Sequence, residues 1–283
     1  MPDSSVADLS RALARDSFAV VPANVVWPIL ANFGAFDAEA ESLHGLWDQA
    51  VPQQDEDGEP VYAHKGTLVT YYAMNTSDAE FNVRRSSSRE ATQIPGHSIE
   101  YIDPTTKHKA SYYRVHRSWP AAADTNSVIV AAQRLVFALM ANASAWHAPS
   151  EPPSGVYEAM MSAFRVRGDP GPEGVHQDDA ELTVVMLVRR HNVARDSGAS
   201  RVWSLDQPCG KPRADDAALP GRLLASTVLT ERFDTLLVAD RAVKHEVRPI
   251  TTARAEAGEA ERDVLTFEVR RPRGSSTHGA TLT

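Results

Sequence analysis

The sequence has almost no cysteine. A single thiol, Cys209, in 283 residues cannot close an internal disulfide, which fits a reducing compartment. It also lacks any basic surplus: 29 Lys and Arg face 37 Asp and Glu, a formal net charge of −8. A surface of that sign repels phosphate backbones, so no nucleic acid is expected as a partner. No run of about 18 apolar residues occurs, so no membrane span is expected. The most apolar window, Val128 to Trp146, is interrupted by Gln133 and Arg134. The opening residues, MPDSSVADLSRALARDSFAVV, carry neither the basic start nor the apolar stretch of a secretory signal, and a cytoplasmic location is the expectation. Aromatics make up only 7%, and with the acidic charge they read as core rather than as a base-stacking platform. What is present is 42% apolar and 23% charged, the composition of a globular protein with a sizeable core.

The first half, about 1–146, reads as helix-rich. Ser4 or Ser5 caps a short helix through Ala14, with Val6, Leu9 and Leu13 on one face. Phe18–Val21 is a short strand closed by Pro22. A second helical stretch is expected from Val25 to Trp47, and an acidic loop from Gln53 to Pro60. From Val61 to Tyr113 the pattern is strand-like but irregular. The longest helix starts at a cap among Asp124, Thr125 and Ser127 and runs to about Ala145. His147–Gly155 (HAPSEPPSG) is a Pro-rich break. The back half then shows eight short strands: Ala163–Val166, Val175–Asp178, Leu182–Val188, Val202–Leu205, Leu223–Val228, Thr235–Val238, Val243–Val247 and Val264–Val269. That spacing suggests a sandwich or a closed barrel. One domain over 1–270, with its β core at 156–270, and a flexible tail at 271–283 is the expected organisation.

The chemistry concentrates in the back half. On a strand, residues two apart share a face, so His176 and Asp178 project together. His245 follows a strongly apolar strand, Thr235–Val238, and a tight turn. Two imidazoles and a carboxylate on one side of an ion form a facial triad, which suits non-haem Fe(II) and leaves coordination positions open. The same spacing also suits a hydrogen-bonded turn histidine beside a solvated aspartate. Arg262 opens the last strand, where a buried guanidinium can hold a carboxylate bidentately. Arg254, in the loop Thr251–Glu261, is its rival.

Five blocks in order, Pro172–Asp178, Glu181–Asn192, Phe233–His245, Val247–Ile250 and Arg262–Phe267, resemble the 2-oxoglutarate/Fe(II) dioxygenases related to bacterial L-isoleucine 4-hydroxylase. The resemblance covers roughly 160–270. It implies a mainly β fold, a double-stranded β-helix (jelly-roll, cupin-like) with flanking helices. It implies iron held by His176, Asp178 and His245, 2-oxoglutarate anchored at Arg262, and O2 as oxidant. It implies oxidation, by hydroxylation, of a small free L-amino acid or close derivative, with succinate and CO2 as co-products; the alternatives are desaturation or ring closure by the same machinery, or a non-catalytic jelly-roll protein that binds a small molecule. Asp179 stands where the family usually has glycine, and Ala163-Phe164 replace its usual His-Gln pair; both changes flank the pocket. A zwitterionic substrate needs a cation and an anion. Arg165 is the candidate for its carboxylate, and Glu173 or Asp179 for its amine.

Overall fold

A computed structural model describes residues 5–52, 65–77, 81, 83–85, 117–147, 155–170, 174–178, 180–210 and 222–271. The expected Gln53–Pro60 loop, most of Val61–Tyr113 and the tail beyond Arg271 lie outside these residues. Four helices, α1 (Val6–Asp16), α2 (Ala23–Asn32), α3 (Asp37–Ser42) and α4 (Ser127–Ala141), pack beside strands β1 (Phe18–Val21), β2 (Val51–Pro52), β3 (Lys65–Asn75), β4 (Val83–Arg85) and β5 (Arg117–Ser118). Seven more strands follow: β6 (Val156–Val166), β7 (Leu182–His191), β8 (Ser200–Trp203), β9 (Leu223–Thr227), β10 (Thr235–Val238), β11 (Lys244–Val247) and β12 (Glu261–Arg270).

Local chemistry sets the helix ends. Asp8 accepts the backbone N–H of Ser5 (2.9 Å) at the start of α1, and Ser17 ends that helix in the left-handed region at φ 65°. The expected helix from Val25 to Trp47 is instead three pieces. Gly34, at φ 98°, turns the chain after α2, and α3 passes into a 3-10 stretch at Leu43–Gln49. The cap of α4 is Asn126, whose side chain accepts from Val128 (3.1 Å) and Ile129 (3.2 Å); Asp124, Thr125 and Ser127 do not play that part.

The large sheet runs β1-β10-β7-β12-β6-β3-β2, with β4 and β5 also pairing β3. The small sheet runs β11-β8-β9. A bridge between His176 and His245 adds the 174–176 segment beside β11. The order 174–176, β11, β8, β9 therefore faces β6, β12, β7, β10. Along the chain the strands cross between these two layers, which is the winding of a double-stranded β-helix. The first half is not only helical: β3 pairs β6 through eleven register positions, from Lys65–Val166 to Asn75–Val156.

Both faces of the large sheet are covered at its centre, so β3, β6, β7 and β12 are buried along most of their length rather than alternating with solvent. One face carries α1, α2 and α4 on a core that includes Leu9, Ile29, Leu135, Met161, Val184, Leu265 and Phe267. The Trp47 indole N–H donates to the Val264 carbonyl (3.2 Å), fixing the 3-10 stretch to β12. The other face packs on the small sheet through Val185, Leu187, Val202, Leu236, Val243 and Val264, with Phe164 against them. Alternation along β12 thus sends Leu265, Phe267 and Val269 toward the helices, and Arg262, Val264, Thr266 and Glu268 toward the interior between the sheets.

Candidate metal centre

The 174–176 segment and β11 meet as an antiparallel pair. His176 N–H donates to the His245 carbonyl and His245 N–H donates back, both at 2.9 Å. Residues exchanging both bonds sit directly opposite, so the two rings are neighbours, with centroids 4.5 Å apart. Asp178, two residues on, reaches the same place. His176 Nε2 is 3.4 Å from its Oδ1, and His245 Nε2 is 3.2 Å from its Oδ2. One donor atom from each residue lies within 4.8 Å of the others.

The remaining ring nitrogens point away; that of His176 is hydrogen-bonded, and that of His245 lies near a carboxylate without forming a hydrogen bond. His176 Nδ1 lies 2.8 Å from the Gly174 carbonyl, which can only accept, so Nδ1 carries a proton and Nε2 is the nitrogen turned to Asp178. His245 Nδ1 lies 3.3 Å from Oδ1 of Asp240, a carboxylate with no solvent exposure. The other Asp240 oxygen accepts from the Ala180 N–H (3.2 Å), and Gln177 Nε2 donates to its carbonyl (2.5 Å). Acceptors behind both imidazoles, which fix tautomer and aim, are the usual support of a metal-binding histidine. Thr183 donates to Asp178 Oδ2 (3.1 Å), and Arg270 Nη2 donates to the Asp178 carbonyl (2.7 Å).

The electrostatics describe a place built for a cation. Burial drives Asp178 upward, yet the His245 charge and the hydrogen bonds from both imidazoles hold it well below the usual carboxylate range. Burial drives His245 downward, and Asp178 followed by Asp240 overrides it, raising the imidazole to about 10. Nearby, burial first and then the Asp178 charge push Glu268 up to about 8. Two imidazoles and a carboxylate with no thiolate are the donor set of a ferrous facial triad, and these residues fit it.

Arg262 sits in the interior, 1% exposed. Its Nη2 has the Ser200 hydroxyl at 3.4 Å, its Nε has no hydrogen-bond partner, and among the described residues no carboxylate pairs with it. Burial, followed by the like charge of Arg190, lowers its guanidinium to about 10. A buried cation without a counter-charge is costly in isolation, so the arrangement fits an anionic ligand. Val264 and Leu187, paired in the sheet, come next on the interior faces of β12 and β7. Arg254 is exposed, with its backbone tied to Asn192.

Arg165 is not brought to this interior. It pairs in register with Asp263, on the β12 face opposite to Arg262. Its guanidinium grips Asp263 bidentately (2.7 and 2.9 Å) and Asp48 with its remaining nitrogen (2.8 Å). These three contacts already engage the guanidinium with two carboxylates. Glu173 and Asp179 lie outside the described residues. The sequence reading passed over Asp240 and Glu268. For Glu268 the signal was there: counted in twos from Arg262, positions 264, 266 and 268 share its face, and a carboxylate among them breaks an apolar wall.

The family model of the 2OG-Fe dioxygenases matches residues 82–268. No curated protein matches the chain. Among solved structures, the Fe(II)/(alpha)ketoglutarate-dependent dioxygenase TqaL superposes at a TM-score of 0.72 with 18% identity, covering 96% of this chain and 90% of TqaL. A bsmA homologue from Methylobium petroleophilum PM1 superposes at 0.68 with 18% identity, over 95% and 94%. IDO from Bacillus thuringiensis superposes at 0.60 with 13% identity, over 95% and 96%. At these identities the likeness is one of fold, the double-stranded β-helix.

Proposed function

The chain belongs to the 2OG-Fe dioxygenase family, and from that membership we propose that it oxidises, by hydroxylation, a small free L-amino acid at the His176–Asp178–His245 centre. The family uses Fe(II), 2-oxoglutarate and O2. Bound together, these supply an oxidant strong enough for an unactivated C–H bond, with succinate and CO2 as co-products. The observation that carries the reading is the pairing of that triad with Arg262, a buried guanidinium without a counter-ion among the described residues, in the same interior.

The residues divide the work. His176, Asp178 and His245 would hold iron, with Gly174 and Asp240 on the far sides of the rings so that both Nε2 atoms point inward. Arg262 takes the far carboxylate of 2-oxoglutarate, with the Ser200 hydroxyl beside it. Phe164, Leu187, Val202 and Val264 line the interior between the sheets with apolar surface. That lining suits the methylenes of the co-substrate and keeps water out, which strengthens the Arg262–carboxylate interaction. The amino-acid substrate rests on the resemblance of the five sequence blocks to the isoleucine 4-hydroxylase group.

The test is a panel of free L-amino acids incubated with enzyme, Fe(II), 2-oxoglutarate and air. Succinate formation stimulated by at least one amino acid, with that amino acid gaining one oxygen by mass spectrometry, is the expected result. Loss of two hydrogens instead assigns desaturation or ring closure. Succinate that no amino acid stimulates removes the amino-acid reading.

A further inference from the structure

The last strand carries charge at two interior positions: Glu268, between Met160 and Thr183, and Arg270, opposite Glu158 on β6. Glu268 and Arg270 are two apart on β12, on the interior face. Across the sheet Glu268 stands opposite Met160 on β6, which stands opposite Tyr71 on β3. These two form a small apolar cluster with Val69. On its other side Glu268 stands opposite Thr183, whose hydroxyl donates to the metal-side carboxylate of Asp178. Arg270 Nη2 donates both to Glu268 Oε2 (2.5 Å) and to the Asp178 carbonyl (2.7 Å). Glu268 is buried at 8% exposure, while the Arg270 side chain keeps 22%. One carboxylate, one guanidinium and an apolar wall thus converge beside the triad, six residues along β12 from Arg262.

We propose that Glu268 and Arg270 form the receptor for the substrate's charged backbone, Glu268 accepting the α-ammonium and Arg270 the α-carboxylate. The side chain then lies toward the wall of Val69, Tyr71 and Met160. This rests on the reading of the triad as the iron site and supplies the selectivity that reading lacks. The pair matches a zwitterion in order: the α-ammonium supplies the counter-charge that favours the ionised form of Glu268, and Arg270 meets the α-carboxylate. A substrate with only one of the two charges leaves the other protein group unpaired in a partly desolvated site, which is how polar sites reject analogues. The anchor also lies on the same face as the co-substrate clamp, so one rigid strand sets both ligands against the metal. Arg165, committed to Asp263 and Asp48, is excluded from this part.

The experiment is an anaerobic titration of the protein loaded with Fe(II) and 2-oxoglutarate, read by its visible charge-transfer band. The probes are the proteinogenic L-amino acids, then, for those that shift the band, the matching des-amino carboxylic acid and amino-acid amide. Wild type should bind the amino acid about tenfold or more tightly than either analogue, the factor for one lost hydrogen bond between charged groups. Glu268→Gln should form the 2-oxoglutarate band normally, bind the amino acid about tenfold or more weakly, and lose its preference over the des-amino acid. Arg270→Gln should lose the preference over the amide. A wild-type band that no amino acid shifts, or a Glu268→Gln protein with unchanged amino-acid affinity and preference, overturns the proposal. Absence of the band from wild type overturns instead the iron and 2-oxoglutarate reading beneath it.

Discussion

Replacing Arg262 by methionine should separate stability from function in opposite directions. The guanidinium is 1% exposed and has no carboxylate partner among the described residues, so in the ligand-free protein it is a buried charge with little compensation. Replacing such a group by an apolar one of similar size is commonly neutral or stabilising, by about 1–4 kcal/mol. The ligand-free Arg262→Met protein should therefore melt at or above the wild-type temperature. The cost appears on binding. A guanidinium holding a carboxylate through two charge-assisted hydrogen bonds is worth about 2–5 kcal/mol, and each 1.4 kcal/mol is tenfold, so affinity for 2-oxoglutarate should fall by about 30- to 3,000-fold. Calorimetry and thermal shift read both effects. At 2-oxoglutarate concentrations 100 times Kd, wild type gains about 2.7 kcal/mol, or roughly 5–10 °C. The variant at that concentration should gain at most about 0.9 kcal/mol, roughly 2–3 °C, and less the weaker its binding. A variant that melts well below wild type without ligand, yet keeps the 2-oxoglutarate shift, would refute the reasoning and return Arg262 to a structural part.

Three further outcomes follow from other contacts. Asp240→Asn removes the carboxylate behind His245 Nδ1, and Fe(II) affinity measured by competition with a chelator should fall about 10- to 100-fold with the fold retained. Gly198 sits at φ 74°, and a Cβ there would meet Ile250 Cγ2 at 2.6 Å and lie 3.8 Å from Arg262 Cδ. Gly198→Ala should cost about 1–3 kcal/mol in denaturant unfolding and raise the KM for 2-oxoglutarate more than that for the second substrate. Asn126→Ala removes the cap of α4 and should cost about 1 kcal/mol without changing metal binding, whereas Thr125→Ala should be close to neutral.

Much of the β core was legible because strand faces alternate with period two and turn residues punctuate them. Thr235–Val238 is a strand with the expected bounds, and the expected Leu182–Val188 and Val264–Val269 lie within β7 and β12. His176, Asp178 and His245 were readable as a set because a strand places positions 176 and 178 on one side, although only the fold brings position 245 opposite. The long helix expected from Val25 to Trp47 illustrates the weakness of composition. Ala and Leu favour helix on average, but Gly34 supplies a positive φ that ends α2, and tertiary contacts through Trp47 favour a 3-10 stretch. Arg165 was misread because sequence does not say which face of a strand looks inward. Its register partner Asp263 decides that, and Asp263 is 98 residues away. β3 falls inside the stretch read as strand-like, but its bounds and its pairing with β6 were not legible: with both sheet faces covered, it lacks the alternation that marks a strand's ends and inner face.

The central claim is that two imidazoles and one carboxylate hold a single ferrous ion that 2-oxoglutarate then chelates. Anaerobic titration of the protein with Fe(II) in the presence of 2-oxoglutarate tests it most directly, beside Asp178→Ala. Wild type should develop a visible charge-transfer band saturating at one iron per chain, and Asp178→Ala should develop none. A wild-type protein without the band, or an Asp178→Ala protein that forms it with the same iron affinity, would contradict the account.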